Sequence, residues 1–370
     1  MFRNNDKISP SQIANILILI MLGTGVLTLP RSLAEAAGAD GWIILLVGGL
    51  LISLIAIAQA YIVKSLPGKN YMEIITATLS KPVAYIYIVF LVLFLIMLNG
   101  FLVRIFAEVV KMFLLFRTPL EVIIVSVLLV TVYLVRQGIE PLARMADLLL
   151  PTISILSLVL FALTIRSGDL KNLLPVFQVS LKQIVEAIPL VLFSFLGFEF
   201  VLIFGTYVNK PEKLTKSSGG AVLFILLIYS VLNLATMLTF GTEQTVHLIW
   251  PTLTLFKTIE FPGLFIENVE AFVMALWVFI VFMSIAPLYL AKVVLLSDLI
   301  KTKEFNFFAL PLIPLVYLAS LIGDSLAEAY EILDIFTKYA ATIVAFIFPA
   351  LILISLLIRK KLKKEGNTNA

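Results

Sequence analysis

Residues 22–30 read Leu-Gly-Thr-Gly-Val-Leu-Thr-Leu-Pro, a hydroxyl residue between two glycines inside an apolar run. Glycine weakens a helix, and Pro30 removes the bond to the Val26 carbonyl. Gly23 and Gly25 are two apart, the wrong spacing for one helix face. An unwound stretch therefore fits better than a packing notch. Residues 193–200 read Phe-Ser-Phe-Leu-Gly-Phe-Glu-Phe, again with a glycine in mid-run and a carboxylate two residues later. A broken helix exposes bare N–H groups at the start of one half and bare carbonyls at the end of the other. The first favours an anion and the second a cation. Two such breaks face to face suit a zwitterion such as a small α-amino acid.

Backbone at the breaks is blind to the side chain of such a ligand, so other groups must select it. The candidates are Leu196 and Phe198 on the sixth apolar run, Gly100 and Val103 on the third, and Ser284 with Tyr289 on the eighth. Together with Gly23, Thr24, Gly25, Val26, Ser194, Gly197 and Glu199 they make the expected ligand site. The set is mostly apolar, with Gly100 leaving local room. That favours a small or branched aliphatic amino acid over a charged one, because a buried charge needs a partner.

Asn99, Arg104 and Glu108 also lie within the third run. A charged group at membrane depth costs about 2.5–3.5 kcal/mol on insertion scales, so these residues should face the bundle interior. Arg104 and Glu108 are four apart and can pair on one face, either as a structural pair or as a polar lining near the site. Glu199 has no partner in its own helix and is expected to organise the site. Enzyme chemistry is not indicated: no HExxH and no serine–lysine, serine–histidine or paired-aspartate set occurs at depth. With no cysteine and one histidine, His247, no metal site or cofactor is expected.

These residues must be positioned by helices in lipid. The chain has 370 residues, 61% hydrophobic and only 14% charged, with a mean hydropathy of +1.10. Soluble domains carry about 25% charged residues, so the solvent here is a bilayer. The net charge of +4 comes from short clusters, which excludes nucleic acid as a partner. Ten runs approach the roughly 20 residues that cross hydrocarbon: 11–36, 41–64, 82–112, 120–136, 146–165, 183–208, 219–240, 270–293, 308–323 and 331–358. The ninth is short and carries Pro311 and Pro314. With both termini cytoplasmic, 18 Lys and Arg fall in inner segments and 7 in outer ones. The broken runs one and six then cross in opposite directions. This predicts an all-α integral membrane protein of two inverted five-helix repeats, about 11–166 and 183–358, with a basic cytoplasmic tail at 359–370. The apolar outer loops 166–182 and 241–269 are expected to cover helix ends, or to serve as a lid or docking surface. Residues 67–82 should hold a short cytoplasmic helix.

Gly23-Thr24-Gly25-Val26 with Pro30 resembles the first-helix motif of amino acid–polyamine–organocation permeases. Ser194-Phe195-Leu196-Gly197-Phe198-Glu199, with the size and ten spans, resembles the B subunits of spore germinant receptors. The resemblance runs over essentially the whole chain. It implies a LeuT-type fold in the inner spore membrane and a small germinant as ligand. It also implies a membrane A subunit and a lipoprotein C subunit as partners. In sodium-coupled relatives, hydroxyls on the eighth span help to hold the ion. Here Ser284 is followed by Ile285, and span five lacks the lysine of some proton-coupled relatives. A receptor subunit is therefore expected, with an autonomous proton-coupled amino acid permease as the alternative.

Overall fold

The computed structural model describes residues 6–23, 25–166, 168–258, 269–302 and 304–368. The first run folds as two helices, α1 (Pro10–Leu22) and α2 (Gly25–Ala37). Ser9 caps α1 in a reciprocal box with Gln12, and Pro10 occupies its first turn. Every residue from Ile16 to Leu22 is buried. An all-round apolar helix belongs at the centre of a bundle, and α1 packs against three later helices.

There follow α3 (Gly41–Ser65), α4 (Tyr71–Thr78), α5 (Lys81–Phe113), α6 (Leu120–Val135) and α7 (Ile139–Arg166). The short helix expected at 67–82 is α4, and its apolar side packs onto α5 rather than facing lipid. The chain turns through 112° between α6 and α7, so these remain separate helices. Helix α7 starts earlier than the expected residue 146, because Pro141 falls in its first turn, where a missing N–H costs nothing.

The second half opens with α8 (Leu181–Ser194), capped by Ser180 and Gln183 as α1 is by Ser9 and Gln12. After Gly197 the chain resumes through a 3-10 turn at Phe198–Phe200, the short α9 (Val201–Phe204) and a second turn to Tyr207, bent 59° from α8. Then come α10 (Leu214–His247), α11 (Pro251–Lys257), α12 (Val269–Ile300), α13 (Leu312–Ser320), α14 (Leu326–Phe336) and α15 (Phe348–Thr368), the last two joined through π-helical turns.

Among the described residues, five helical stretches are long and apolar enough to cross a membrane unaided, or seven if each bent pair counts as one. The ninth run gives only the nine residues of α13, about 14 Å at 1.5 Å per residue. Pro311 and Pro314 stand at its start and set that limit. Apolar side chains left exposed, such as Leu50, Leu54, Ile86, Leu129 and Tyr133, lie on the outer faces of α3, α5 and α6 and meet lipid. The chain is a multi-pass membrane protein.

Two ties bind the ends of the broken helices. On one side, buried Asp40 accepts from the backbone N–H groups of Phe177 (2.7 Å), Gln178 and Val179 (2.9 Å), just before α8 begins. On the other, Ile8 N–H donates to the Tyr207 carbonyl and Asn209 N–H to the Ile8 carbonyl, both at 3.0 Å. Between them, Asp147 on α7 accepts from Gln12 (2.9 Å) and Asn15 (2.8 Å) of α1.

The 18 charges assigned to inner segments include Lys292, which stands at the end of the eighth run, and this assignment is corrected. Lys292 is fully buried inside α12. The inner tally drops to 17, and the bias keeps its sign.

Candidate ligand site at the two helix breaks

Helix α1 ends at Gly23, whose N–H reaches back to the Ile20 carbonyl at 3.3 Å. Thr24 lies outside the described residues. A new helix starts at Gly25, and a Cβ there would stand 2.6 Å from Ser194 Cα and 2.9 Å from its carbonyl oxygen. The two breaks therefore meet backbone to backbone. A Cβ on Gly23 would meet Ser284 Oγ at 2.2 Å, and one on Gly197 would meet Ile20 Cγ2 at 2.4 Å. The unwound stretch and the packing notch, alternatives in the sequence, are one structure here. Gly197 also has φ +125°, a backbone region that side chains avoid.

Carbonyls released by the breaks need donors. Ser284 Oγ donates to the Leu19 carbonyl at 2.9 Å. The Tyr229 hydroxyl on α10 lies 2.5 Å from the Met21 carbonyl and 2.9 Å from that of Ser194, so the two breaks share its single proton. Thr252 Oγ1 on α11 donates to the Val26 carbonyl at 2.6 Å; that is the carbonyl Pro30 cannot serve. At the sixth break Glu199 Oε2 accepts from the Gly197 N–H at 2.8 Å. Its other oxygen is buried without a partner among the described residues. Burial holds the Tyr71 hydroxyl on α4 protonated well above its ordinary range, and a carboxylate at Glu199 would add to this.

A cavity lies between the breaks, with about 20 Å³ open to the centre of a water molecule. One water needs roughly 10–15 Å³ on that measure. An amino acid enters only if these walls part. Gly25, Ser194, Leu196 and Gly197 line the cavity, as expected. Leu98 and Leu102 of α5, Leu288 of α12, and Ile20, Met21, Phe193 and Phe200 complete it. Gly23 and Ser284 adjoin each other at its edge.

Several expected lining residues lie elsewhere. Gly100 does not leave room: a Cβ there would stand 2.6 Å from Ala319 Cβ and 2.9 Å from Ser320 N, so it is the seat of α13. Val103 is buried one position from Leu102 and outside the lining. Tyr289 donates to the Ala309 carbonyl at 2.7 Å, and Phe198 packs edge-on against Phe346. Val26 faces a second cavity, described below.

Arg104 and Glu108 form their pair at 2.9 Å, and Arg104 also reaches the Ser320 carbonyl at 3.4 Å. Neither lines the cavity, which favours their structural role. Asn99 donates to the Ile285 carbonyl at 3.0 Å and accepts from Lys292 Nζ at 2.9 Å. That nitrogen also sits 4.4 Å from the centre of the Tyr289 ring. Sequence reading missed Tyr229, Thr252 and Lys292. The helical period continuing through Leu295 was the available signal for Lys292 as a residue inside the span. Tyr229 and Thr252 gave none, since their partners lie far away in sequence.

Comparison with known proteins places this geometry. Residues 7–329 match the family model described as spore germination protein. Spore germination protein YndE of Bacillus subtilis is 27% identical over 367 residues, 99% of each chain. Spore germination protein A2 of the same organism is 30% identical over 273 residues, 74% of this chain and 75% of the relative. Among solved structures, MhsT in complex with L-phenylalanine superposes with a TM-score of 0.68 at 15% identity, covering 95% of this chain and 99% of the other. Mhp1, a nucleobase-cation-symport-1 family transporter, gives 0.66 at 12% identity, covering 95% and 78%. The fold is LeuT-like, and these relatives and neighbours are germination proteins and transporters rather than enzymes.

Proposed function

Because the chain belongs to the spore germination protein family, we propose that it is the ligand-binding membrane subunit of a germinant receptor, with a small aliphatic amino acid held between the two breaks. One observation carries this reading: Gly25 and Ser194 touch through backbone, with a small, largely apolar cavity beside the contact. The start of α2 directs N–H groups without partners in their own helix, a favourable place for a carboxylate. The oxygen of Glu199 that is buried without a partner among the described residues is an acceptor for an amine. The leucines and phenylalanines of the cavity suit an aliphatic side chain, and selectivity across such ligands should be graded, about 1–3 kcal/mol per methylene fitted.

On this reading the halves 11–166 and 183–358 are inverted repeats, both termini are cytoplasmic, and the membrane is that of the spore interior. Partners are a membrane A subunit and a lipoprotein C subunit. Lys292 gives the alternative, a proton-coupled permease, one observation of its own: a buried lysine without a carboxylate within salt-bridge distance among the described residues.

The test is equilibrium binding of radiolabelled alanine, valine, leucine and lysine to the full chain in lipid nanodiscs, with uptake into proteoliposomes measured in parallel. Binding of the aliphatic compounds without uptake is expected, and Gly25→Leu should abolish it while the protein still inserts. Proton-driven uptake would establish the permease instead. Lysine binding best, or Gly25→Leu binding normally, would place the site elsewhere.

A further inference from the structure

A second cavity, with about 50 Å³ open to a water centre, lies behind the first break. Leu22, Val26 and Leu27 form one wall, Ile228 and Leu232 of α10 another, and α11 and α12 close it with Leu253 and Trp277. Among the described lining residues only two carry a polar side-chain atom, Thr252 and Trp277. Thr252 has committed its hydroxyl proton to the Val26 carbonyl. Trp277 is 4% exposed, its ring stacks on Phe106, and its indole N–H has no partner among the described residues. A buried donor left unpaired is unfavourable, and whatever brings it an acceptor recovers that loss.

We propose that this cavity is a binding site for a small, neutral, membrane-soluble molecule carrying one acceptor oxygen, an ether or a carbonyl. The chemistry follows from the walls. No charged side chain among the described residues lines the space, so an ion would be stranded. A water molecule would find one donor and one hydroxyl oxygen amid hydrocarbon, short of its usual three partners. A bare hydrocarbon would fill the volume and leave the indole N–H unpaired. The space is several times what one water needs, enough for a compact ring. Its position gives an occupant leverage: Leu22 and Val26 flank the first break, so a bound molecule wedges α1 and α2 in their present relation. That consequence for ligand response rests on the function proposed above; the binding itself does not.

Tetrahydrofuran is a suitable probe, with cyclopentane as its partner lacking the oxygen. The full chain in nanodiscs, with nitrogen-15 in its tryptophan indoles, gives separate N–H signals for Trp42, Trp250 and Trp277, and Trp277→Phe assigns the third. Tetrahydrofuran should shift the Trp277 signal downfield and saturate, leaving the other two in place. Its midpoint should lie about tenfold below that of cyclopentane measured by displacement, the value of one hydrogen bond. Ile228→Phe, which fills the cavity from α10, should remove the saturable shift. Should Trp277→Phe fail to fold, the loss of one signal's response in Ile228→Phe makes the same assignment. A Trp277 signal that stays put, a linear shift of all three, equal affinity for the two rings, or an unchanged response in Ile228→Phe would each overturn the site. Loss of amino acid binding with tetrahydrofuran binding intact would instead count against the function alone.

Discussion

At the first break the released carbonyls of Leu19, Met21 and Val26 are served by hydroxyls from α12, α10 and α11. At the sixth, Tyr229 again reaches a carbonyl, that of Ser194, and the chain adds a tie of its own: Glu199 turns back onto the N–H of Gly197, two residues earlier. One break is held by its surroundings, the other partly by its own sequence. The first should therefore respond to changes in three distant helices. The second should respond to changes at Tyr229 and within a few residues of Gly197. Among the described residues only the second retains an unspent polar atom, Glu199 Oε1.

The largest expected effect follows from the partly self-held break. Gly197→Ala would force a side chain into a φ of +125° and within 2.4 Å of Ile20. Strain of this kind costs about 1–3 kcal/mol before the clash is counted. Thermal unfolding in detergent should drop markedly and alanine binding should vanish. A wild-type melt would mean that the break does not need this geometry.

Next comes Tyr229→Phe, which strips the one donor that the two breaks share, worth about 1–3 kcal/mol for a buried acceptor left bare. Ser284→Ala bares one carbonyl and should cost less. If the serine variant melts lower than the tyrosine variant, the breaks are not coupled through α10.

Glu199→Gln keeps an acceptor for Gly197 and removes the charge. Stability should hold within about 1 kcal/mol, while affinity for a zwitterion falls by about tenfold through loss of a charge-assisted contact. Parallel loss of both would make Glu199 a structural group only.

The smallest effect lies at the N-terminal tie. Burial, helped by the Glu140 charge, raises the Asp6 carboxyl above its ordinary range. Its protonated form thus fits the folded state better, and the docked segment gains as pH falls through that raised value and loses above it. Hydrogen exchange of the Ile8 and Asn209 amides, corrected for intrinsic rates, should slow as pH falls toward the ordinary carboxylate range. Asp6→Asn should flatten the trend. A trend of opposite sign would remove Asp6 from the tie.

The breaks and the apolar runs were legible because they are written locally: glycine pairs, Pro30, and lengths of hydrocarbon. Ser194, Leu196, Gly197 and Gly25 were assigned to the breaks on that basis, and they line the cavity between them. Gly100 was misread for a physical reason. A missing side chain can make a hole or admit a neighbour, and only the position of Ala319 decides which. Lys292 was taken for a flanking charge because its place in the apolar period was cut short at the end of the run. Tyr229 and Thr252 look like ordinary span and loop residues. Their meaning comes from carbonyls more than 200 residues away.

The two ties at the far ends of the broken helices have a mechanical consequence. Asp40 follows α2 and grips the three amides that lead into α8, while Ile8 leads into α1 and pairs with the strand leaving Tyr207. The four half-helices are thereby yoked into two crossed pairs, each pinned at its outer end. Torque applied to α2 is transmitted to α8, and torque on α1 to the segment after Gly197. The free pivots of this linkage are Gly23–Gly25 and Phe195–Gly197, so a molecule lodged between them acts where a small displacement has the longest lever arm.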